Sequence, residues 1–399
     1  MRRFLQSTIY CSVVLALACG GGGSSDPGTG QTDLPSANDG IIPDVSGDAI
    51  ERPDTPSDTP AADPGSPADS ILIDDLPILD TPALPGCPPC GKGTLTGLAC
   101  APDGKSVVPD VGVSIEGVDC HGQPFLIETT SDSMGRYTVE NVPCGYRVVK
   151  LNKGSFSHQF DVFIAADQET DTKNGRCFEG TAAKIAVITG EWDRLQEILT
   201  TLGLHYTEIN GIESDSGGSA DAGSFLSDWN RLSKFNILFI NCGKSQYTSS
   251  AAIANLKKFV QGGGSIYGSD YAVSYISVVW PEALDLPSDP YSVWTQTVSS
   301  SVRDPRLLGY LQKNAVTIQY GLSPLVMVEA AGVDTETHLE GVFPKYEADQ
   351  FIHPQLLSFR PYGDKGGRVI YGNFHHDEQM KEPGKTDVRN ILKYVVFSL

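Results

Sequence analysis

The chain has 399 residues, 40% hydrophobic and 20% charged, a composition that excludes both a fully disordered polymer and a multi-span membrane protein. Forty-nine acidic residues against 29 basic ones leave a net charge of −20. That balance argues against a nucleic-acid-binding surface, because such affinity rests on clustered Lys and Arg.

Residues 1–19 carry a positive start, Arg2-Arg3, and then a short apolar run from Ile9 to Ala18. A run of roughly ten residues reaches about 15 Å as a helix, half of a bilayer core of about 30 Å, so it reads as an export signal and not as a span. The run Ala16-Leu17-Ala18-Cys19 followed by glycines resembles the bacterial lipoprotein box. In that box the cysteine is acylated and begins the mature chain, and Ala16 stands where leucine is usual. The resemblance implies a lipid anchor at Cys19. Gly20 after the cysteine, in place of Asp, implies delivery to the outer membrane, facing the periplasm or the exterior.

Residues 20–86 contain no aromatic side chain, 11 prolines and 12 aspartates with Glu51, against the single base Arg52. Such a segment cannot bury enough apolar surface to offset chain entropy. Its prolines favour extended conformations, so it is expected to be a disordered acidic tether holding the rest away from the membrane.

Residues 87–178 alternate apolar and polar positions in short runs broken by Gly, Pro, Asp and Asn. Strands are expected over 111–118, 125–130, 137–142 and 146–151, the spacing of a small all-β sandwich. The run Asp132-Ser133-Met134-Gly135-Arg136-Tyr137, with Pro143-Cys144-Gly145-Tyr146 after it, resembles the carboxypeptidase regulatory-like domain. That resemblance implies a spacer or accessory binding module related to carbohydrate-binding-like sandwiches, and no peptidase activity. Tyr137 and Tyr146 are expected to pack one face. Six cysteines lie here, Cys87, Cys90, Cys100, Cys120, Cys144 and Cys177. In an exported chain they read as three disulfides, with fifteen pairings open. The rival, a metal or redox site at Cys87-Pro88-Pro89-Cys90, lacks the second close pair that zinc would want.

From 181 to 399 the period changes. Apolar strand runs at 184–189, 205–209, 236–241, 265–268 and 367–374 alternate with helical stripes: Trp192, Leu195, Leu199 and Leu202; Phe225, Leu226, Trp229 and Leu232; Ile253, Leu256, Phe259 and Val260; Val388, Ile391, Leu392 and Val395. This alternation predicts an α/β flavodoxin-like domain with a parallel sheet covered on both faces. Chemistry in such sheets gathers at the carboxyl ends of strands. The element order, Phe259-Val260-Gln261-Gly262-Gly263-Gly264 and Phe374-His375-His376-Asp377 resemble the class I glutamine amidotransferase-like fold. That family sets a cysteine on a sharp strand–helix elbow and activates it with a histidine. Carried over, the elbow is Gly268-Ser269-Asp270-Tyr271, which holds no cysteine; His375 falls on the histidine, and Asp377 stands for the family's glutamate. Cys242 lies one strand earlier in the sequence and reads as a small core residue.

Three uses of this cluster compete. Ser269 serves as nucleophile with His375 as base and Asp377 as orienter. Alternatively Asp270, His375, His376 and Asp377 hold a divalent metal. In the third, favoured reading the site is a polar pocket without catalysis. Tyr275 and Trp280 are candidate pocket walls, with core packing favoured, and the stretch 286–347 is expected to add strands near the site. No cofactor is implied. The sequence as a whole reads as a multidomain lipid-anchored envelope protein that binds or scaffolds, with a saccharide, an envelope polymer or an envelope protein as partner. The alternative is a hydrolase or amidase at Ser269 or a metal at Asp270.

Overall fold

A computed structural model describes residues 87–172, 176–212, 221–243, 247–343, 351–377, 379 and 382–399. The leader, Cys19 and the expected tether lie outside the described residues. Among the described residues no helix is long and apolar enough to cross a membrane.

The first seven strands are β1 (Lys92–Leu98), β2 (Gly112–Val118), β3 (Pro124–Thr130), β4 (Arg136–Pro143), β5 (Gly145–Lys153), β6 (Phe156–Ile164) and β7 (Glu169–Asp171). They make two sheets, ordered β4-β1-β7 and β3-β2-β5-β6. Alternation does the work expected of it: Val113 and Ile115 of β2, Tyr137 and Val139 of β4, and Val149 and Leu151 of β5 all turn into one apolar cluster. Each such side chain contributes about 1.5–3 kcal/mol on burial. The hairpin before β4 shows why its motif is needed. Asp132 Oδ1 accepts the amides of Met134 and Arg136, each at 2.8 Å. Gly135 has φ +73°, and a Cβ there would sit 2.5 Å from the Ala99 carbonyl.

Tyr137 is buried, with its hydroxyl 3.0 Å from Thr172 Oγ1. Tyr146 departs from the expectation: it is exposed, edge-on to Phe163 at 5.2 Å between centroids. The reason is parity, since β5 turns its odd-numbered residues inward. The six cysteines form Cys87–Cys144, Cys90–Cys120 and Cys100–Cys177. Cys87 and Cys90 therefore bond to different partners, and both thiols are taken up in cross-links. Structural disulfides suggest an extracellular or periplasmic location.

The remainder is mixed α/β. Its first elements are β8 (Ile185–Ile188), α1 (Gln196–Thr201), β9 (Tyr206–Ile209), α2 (Ala222–Ser227), α3 (Trp229–Leu232), β10 (Ile237–Ile240), α4 (Ser250–Gln261), β11 (Ser265–Ser269) and α5 (Val273–Val279). There follow β12 (Leu284–Asp285), β13 (Tyr291–Val293), β14 (Gln296–Val302), α6 (Pro305–Leu311), β15 (Ala315–Tyr320), β16 (Leu325–Val326), β17 (Ala330–Ala331) and β18 (Thr335–Val342). The last are β19 (Ile352–Phe359), β20 (Val369–Gly372) and α7 (Gly384–Val396).

Nine of these strands share one sheet in the order β15-β14-β18-β19-β20-β11-β10-β8-β9. The five from β20 to β9 are mutually parallel. The expectation of a parallel sheet is corrected beyond them: β19, β18, β14 and β15 extend it antiparallel. Three of them, β14, β15 and β18, come from 286–347, the stretch expected to add strands near the site. Both faces are covered. Ile185 and Val187 of β8 join α1 and α7 in the same apolar cluster as the sandwich core, whereas Ala186 and Ile188 join α2, α3, α4 and α5. The sandwich and the sheet meet through Phe156 and Phe397, 4.7 Å between centroids, and through the Ser155 amide on the Leu399 carbonyl at 2.7 Å. The first helical stripe is shorter than expected. The helix begins only at Gln196, which leaves Trp192 and Asp193 in the loop after β8.

Candidate functional site

Four parallel strands end side by side, and the residues just past them build the site. They are Gly190 to Asp193 after β8, Asn241-Cys242 after β10, Asp270 after β11, and Asn373 to His375 after β20. The loops after β8 and β10 come very close: a Cβ on Gly190 would lie 2.0 Å from the Cys242 carbonyl oxygen.

The elbow after β11 is sharp, and its strained residue is Asp270, at φ +43°. A left-handed conformation is costly for a residue bearing a Cβ, though Asp tolerates it better than most. Its surroundings fix it there. The Val326 amide donates to Asp270 Oδ1 at 2.7 Å, and the Tyr371 hydroxyl donates to the Asp270 carbonyl at 3.0 Å. Oδ2 faces two more groups, the Cys242 thiol, which donates at 3.2 Å, and His375 Nε2 at 3.3 Å. Cys242, Asp270 and His375 are 0, 1 and 1% exposed, so none of these charges or dipoles is screened by water. Burial first, and the Asp270 charge with it, push the Cys242 thiol up to about 12 against a pull from His375, so the thiol holds its proton at neutral pH.

The structure thus brings Asp270 and His375 into contact. Ser269 and Asp377 are turned to other partners. The Ser269 hydroxyl accepts the Cys242 amide at 3.0 Å. Asp377 meets Arg194 Nε and His376 Nδ1, each at 3.3 Å, on the outside of the turn. Sequence reasoning missed Asp193, which is 1% exposed and accepts the His376 amide at 3.0 Å. Burial pushes its carboxyl up, opposed by the nearby His375 charge and a hydrogen bond from Ser269.

The antiparallel extension holds the histidine segment. Gln355 Nε2 donates to the Tyr320 hydroxyl at 2.8 Å, and that hydroxyl donates to Asn373 Oδ1 at 2.8 Å. Asn373 Nδ2 reaches the Val326 carbonyl at 3.1 Å, and Gln379 Nε2 the His375 carbonyl at 3.0 Å. The extension also supplies one wall of a cleft of about 130 Å³, lined by Trp192, Asp270, Tyr271, Leu322, Pro324 and His375 among others. Trp192 and Tyr271 meet edge to face at 5.3 Å, and the Tyr271 hydroxyl donates to the Pro324 carbonyl at 3.0 Å. The aromatics at the site are therefore these two. Tyr275 is buried in the core, and Trp280 packs on Phe359 at 5.6 Å.

A second constellation has the distances of a hydrolytic triad. His338 Nδ1 lies 2.9 Å from Asp304 Oδ2, and His338 Nε2 lies 2.7 Å from Ser358 Oγ. All three are buried, and Asp304 also caps α6 through the Arg306 amide at 2.8 Å. This arrangement ties β18, β19 and α6 together and is a structural use of the same chemistry.

No protein-family model matches the chain, and no curated protein matches it. Among solved structures, a ThuA-like protein from Bacteroides uniformis aligns at TM-score 0.36 and 12% identity, over 54% of this chain and 90% of that one. The glutaminase domain of Trypanosoma brucei CTPS aligns at 0.35 and 9%, over 54% and 93%. A glutamine amidotransferase from Thermotoga maritima aligns at 0.32 and 7%, over 54% and 95%.

Proposed function

We propose that this chain is an exported, lipid-anchored cell-envelope protein whose strand-end site binds a ligand without a nucleophile of its own. In this reading Cys19 carries the lipid, residues 20–86 are the spacer, the sandwich is a regulatory-like accessory module, and the flavodoxin-like half is an amidotransferase-like domain put to binding. One observation carries it: the strained elbow residue is Asp270, with its carboxylate already engaged by the Val326 amide, the Cys242 thiol and His375. A nucleophile at such an elbow must point its reactive atom at open space beside a base. The Ser269 hydroxyl instead faces the Cys242 amide.

Edge-on Trp192 and Tyr271 beside a buried carboxylate suit a saccharide or a polar polymer end. The cleft of about 130 Å³ admits a small terminal group and not a chain in passage. The test incubates the full chain with purified envelope polysaccharide and with peptidoglycan, following co-sedimentation and product release together. The reading expects retention without release, with retention persisting in His375→Ala. Product release that collapses in His375→Ala by orders of magnitude would overturn it and favour the hydrolase or amidase alternative.

A further inference from the structure

We propose that Cys242, Asp270 and His375 form a site for a single zinc-class divalent ion, set at the floor of the cleft and offering it an open coordination position. The proposal deepens the binding reading above and rests on it for the role of the cleft.

The geometry is the first argument. Sγ of Cys242, a carboxylate oxygen of Asp270 and a ring nitrogen of His375 all lie within 4.8 Å of one another. A tetrahedral ion with bonds of about 2.0–2.1 Å to nitrogen and oxygen and about 2.3 Å to sulfur sets N···O at roughly 3.3 Å and S···O at roughly 3.5 Å. The observed His375 Nε2 to Asp270 Oδ2 distance is 3.3 Å, and the Cys242 Sγ to Oδ2 distance is 3.2 Å. Both distances to Asp270 Oδ2 are thus close to those between neighbouring corners of such a polyhedron, and the sulfur and the ring nitrogen stand within 4.8 Å of each other.

The donor chemistry is the second argument. One thiolate, one imidazole and one carboxylate form the mixed S/N/O set that suits a borderline-soft ion, and three protein ligands leave a fourth position free. The cleft meets that position, because Asp270 and His375 are lining residues of the cleft and ligands at once. Binding replaces the Cys242 S–H bond with a metal–sulfur bond and releases one proton to solvent.

The supporting groups are the third. A ligand carboxylate needs its second oxygen held, and Asp270 Oδ1 takes the Val326 amide at 2.7 Å. The Cys242 backbone is pinned by its amide on Ser269 Oγ at 3.0 Å, and the His375 backbone by Gln379 at 3.0 Å. Asp193, buried nearby, adds a second carboxylate whose charge interacts with that of His375. The three ligands come from three neighbouring strand ends, so the site is complete only when the sheet is folded.

The test uses the purified full chain, stripped with chelator, incubated with zinc or cobalt(II) and dialysed. The expected result is about one equivalent of metal per chain, and with cobalt a thiolate-to-metal charge-transfer band. Cys242→Ser should lose the band and lower retained metal to roughly a tenth or less, whereas His376→Ala, which disrupts the group of exposed Glu197 with half-buried His376 and Asp377, should leave both unchanged. Circular dichroism shows that each variant is folded. A folded wild type that retains no metal overturns the proposal, as does metal that follows His376 in place of Cys242. Either outcome leaves the binding reading standing, since retention of polymer without product release is read separately. Zinc-dependent product release would overturn that reading and leave the metal site intact.

Discussion

Replacing Asp304 by alanine should cost about 3 kcal/mol, and the sum can be traced to two contacts. Asp304 Oδ1 caps α6 through the Arg306 amide at 2.8 Å, and a lost carboxylate cap costs about 1 kcal/mol. Oδ2 meets His338 Nδ1 at 2.9 Å, and a hydrogen bond to a charged group contributes about 1.5–3 kcal/mol. Asp304→Asn keeps an acceptor for the cap and removes the charge, so its cost should be about half as large. The pH dependence gives a second signature. Burial raises the Asp304 carboxyl, but hydrogen bonds from His338 and the Arg306 amide and the charges of both residues outweigh it, and hold the group well below the usual carboxylate range. A depressed folded pKa means stability fully present above the unfolded value of about 3.9 and lost as pH falls through the folded one. Urea titrations followed by far-ultraviolet circular dichroism at neutral pH and near pH 3 measure both effects. The wild type should lose part of its advantage over Asp304→Asn on acidification. An alanine variant within about 0.5 kcal/mol of wild type would refute the assignment of this buried cluster as a structural tie.

Other outcomes follow from the same geometry. At Asp270, with φ +43°, glycine should be tolerated better than alanine by about 1–2 kcal/mol; equal urea midpoints for the two variants would show that the elbow relaxes freely. Removing the Cys100–Cys177 bridge, which closes a separation of 77 residues, by paired serine substitution should destabilise by about 4 kcal/mol. That loss would be visible as a lowered Tm, and an unchanged Tm would mean the bridge is redundant. Tyr320→Phe deletes the hydroxyl between Gln355 and Asn373 and should cost about 1–3 kcal/mol. Hydrogen exchange should rise at residues 373–377, and unchanged protection there would break the link between the sheet extension and the site.

Much of this arrangement is readable in the sequence because burial leaves a pattern. The runs at Ile185–Ile188 and Ile237–Ile240 are apolar at every position because both faces of the strand are covered. Helices α4 and α7 show 3.6-residue stripes because only one face is. The hairpin Asp132 to Tyr137 is legible because its turn needs a side-chain acceptor and a left-handed glycine. What stayed hidden lacks local pattern. Asp193 is a single carboxylate in a loop, and only its depth makes it a site residue. Cys242 precedes the elbow in sequence, yet β10 and β11 are neighbours in the sheet, so their ends meet. Likewise β14 finds its partner β18 more than thirty residues on, a pairing that no short window contains. Trp192 fitted a helical stripe by spacing alone, while the helix that would carry it starts four residues later.

A binding site of this kind presents no nucleophile at the strand-end elbow, and covalent labelling measures that directly. The native full chain, freed of metal by chelator, would be treated with a fluorophosphonate for Ser269 and iodoacetamide for Cys242, and the modified sites read by peptide mass spectrometry. With the thiol pushed up to about 12, only about one part in ten thousand is thiolate at pH 8. Both side chains are also buried. The prediction is that neither residue is modified until the chain is unfolded, after which Cys242 reacts as an ordinary thiol. Stoichiometric labelling of Ser269 or Cys242 in the native protein would contradict the account.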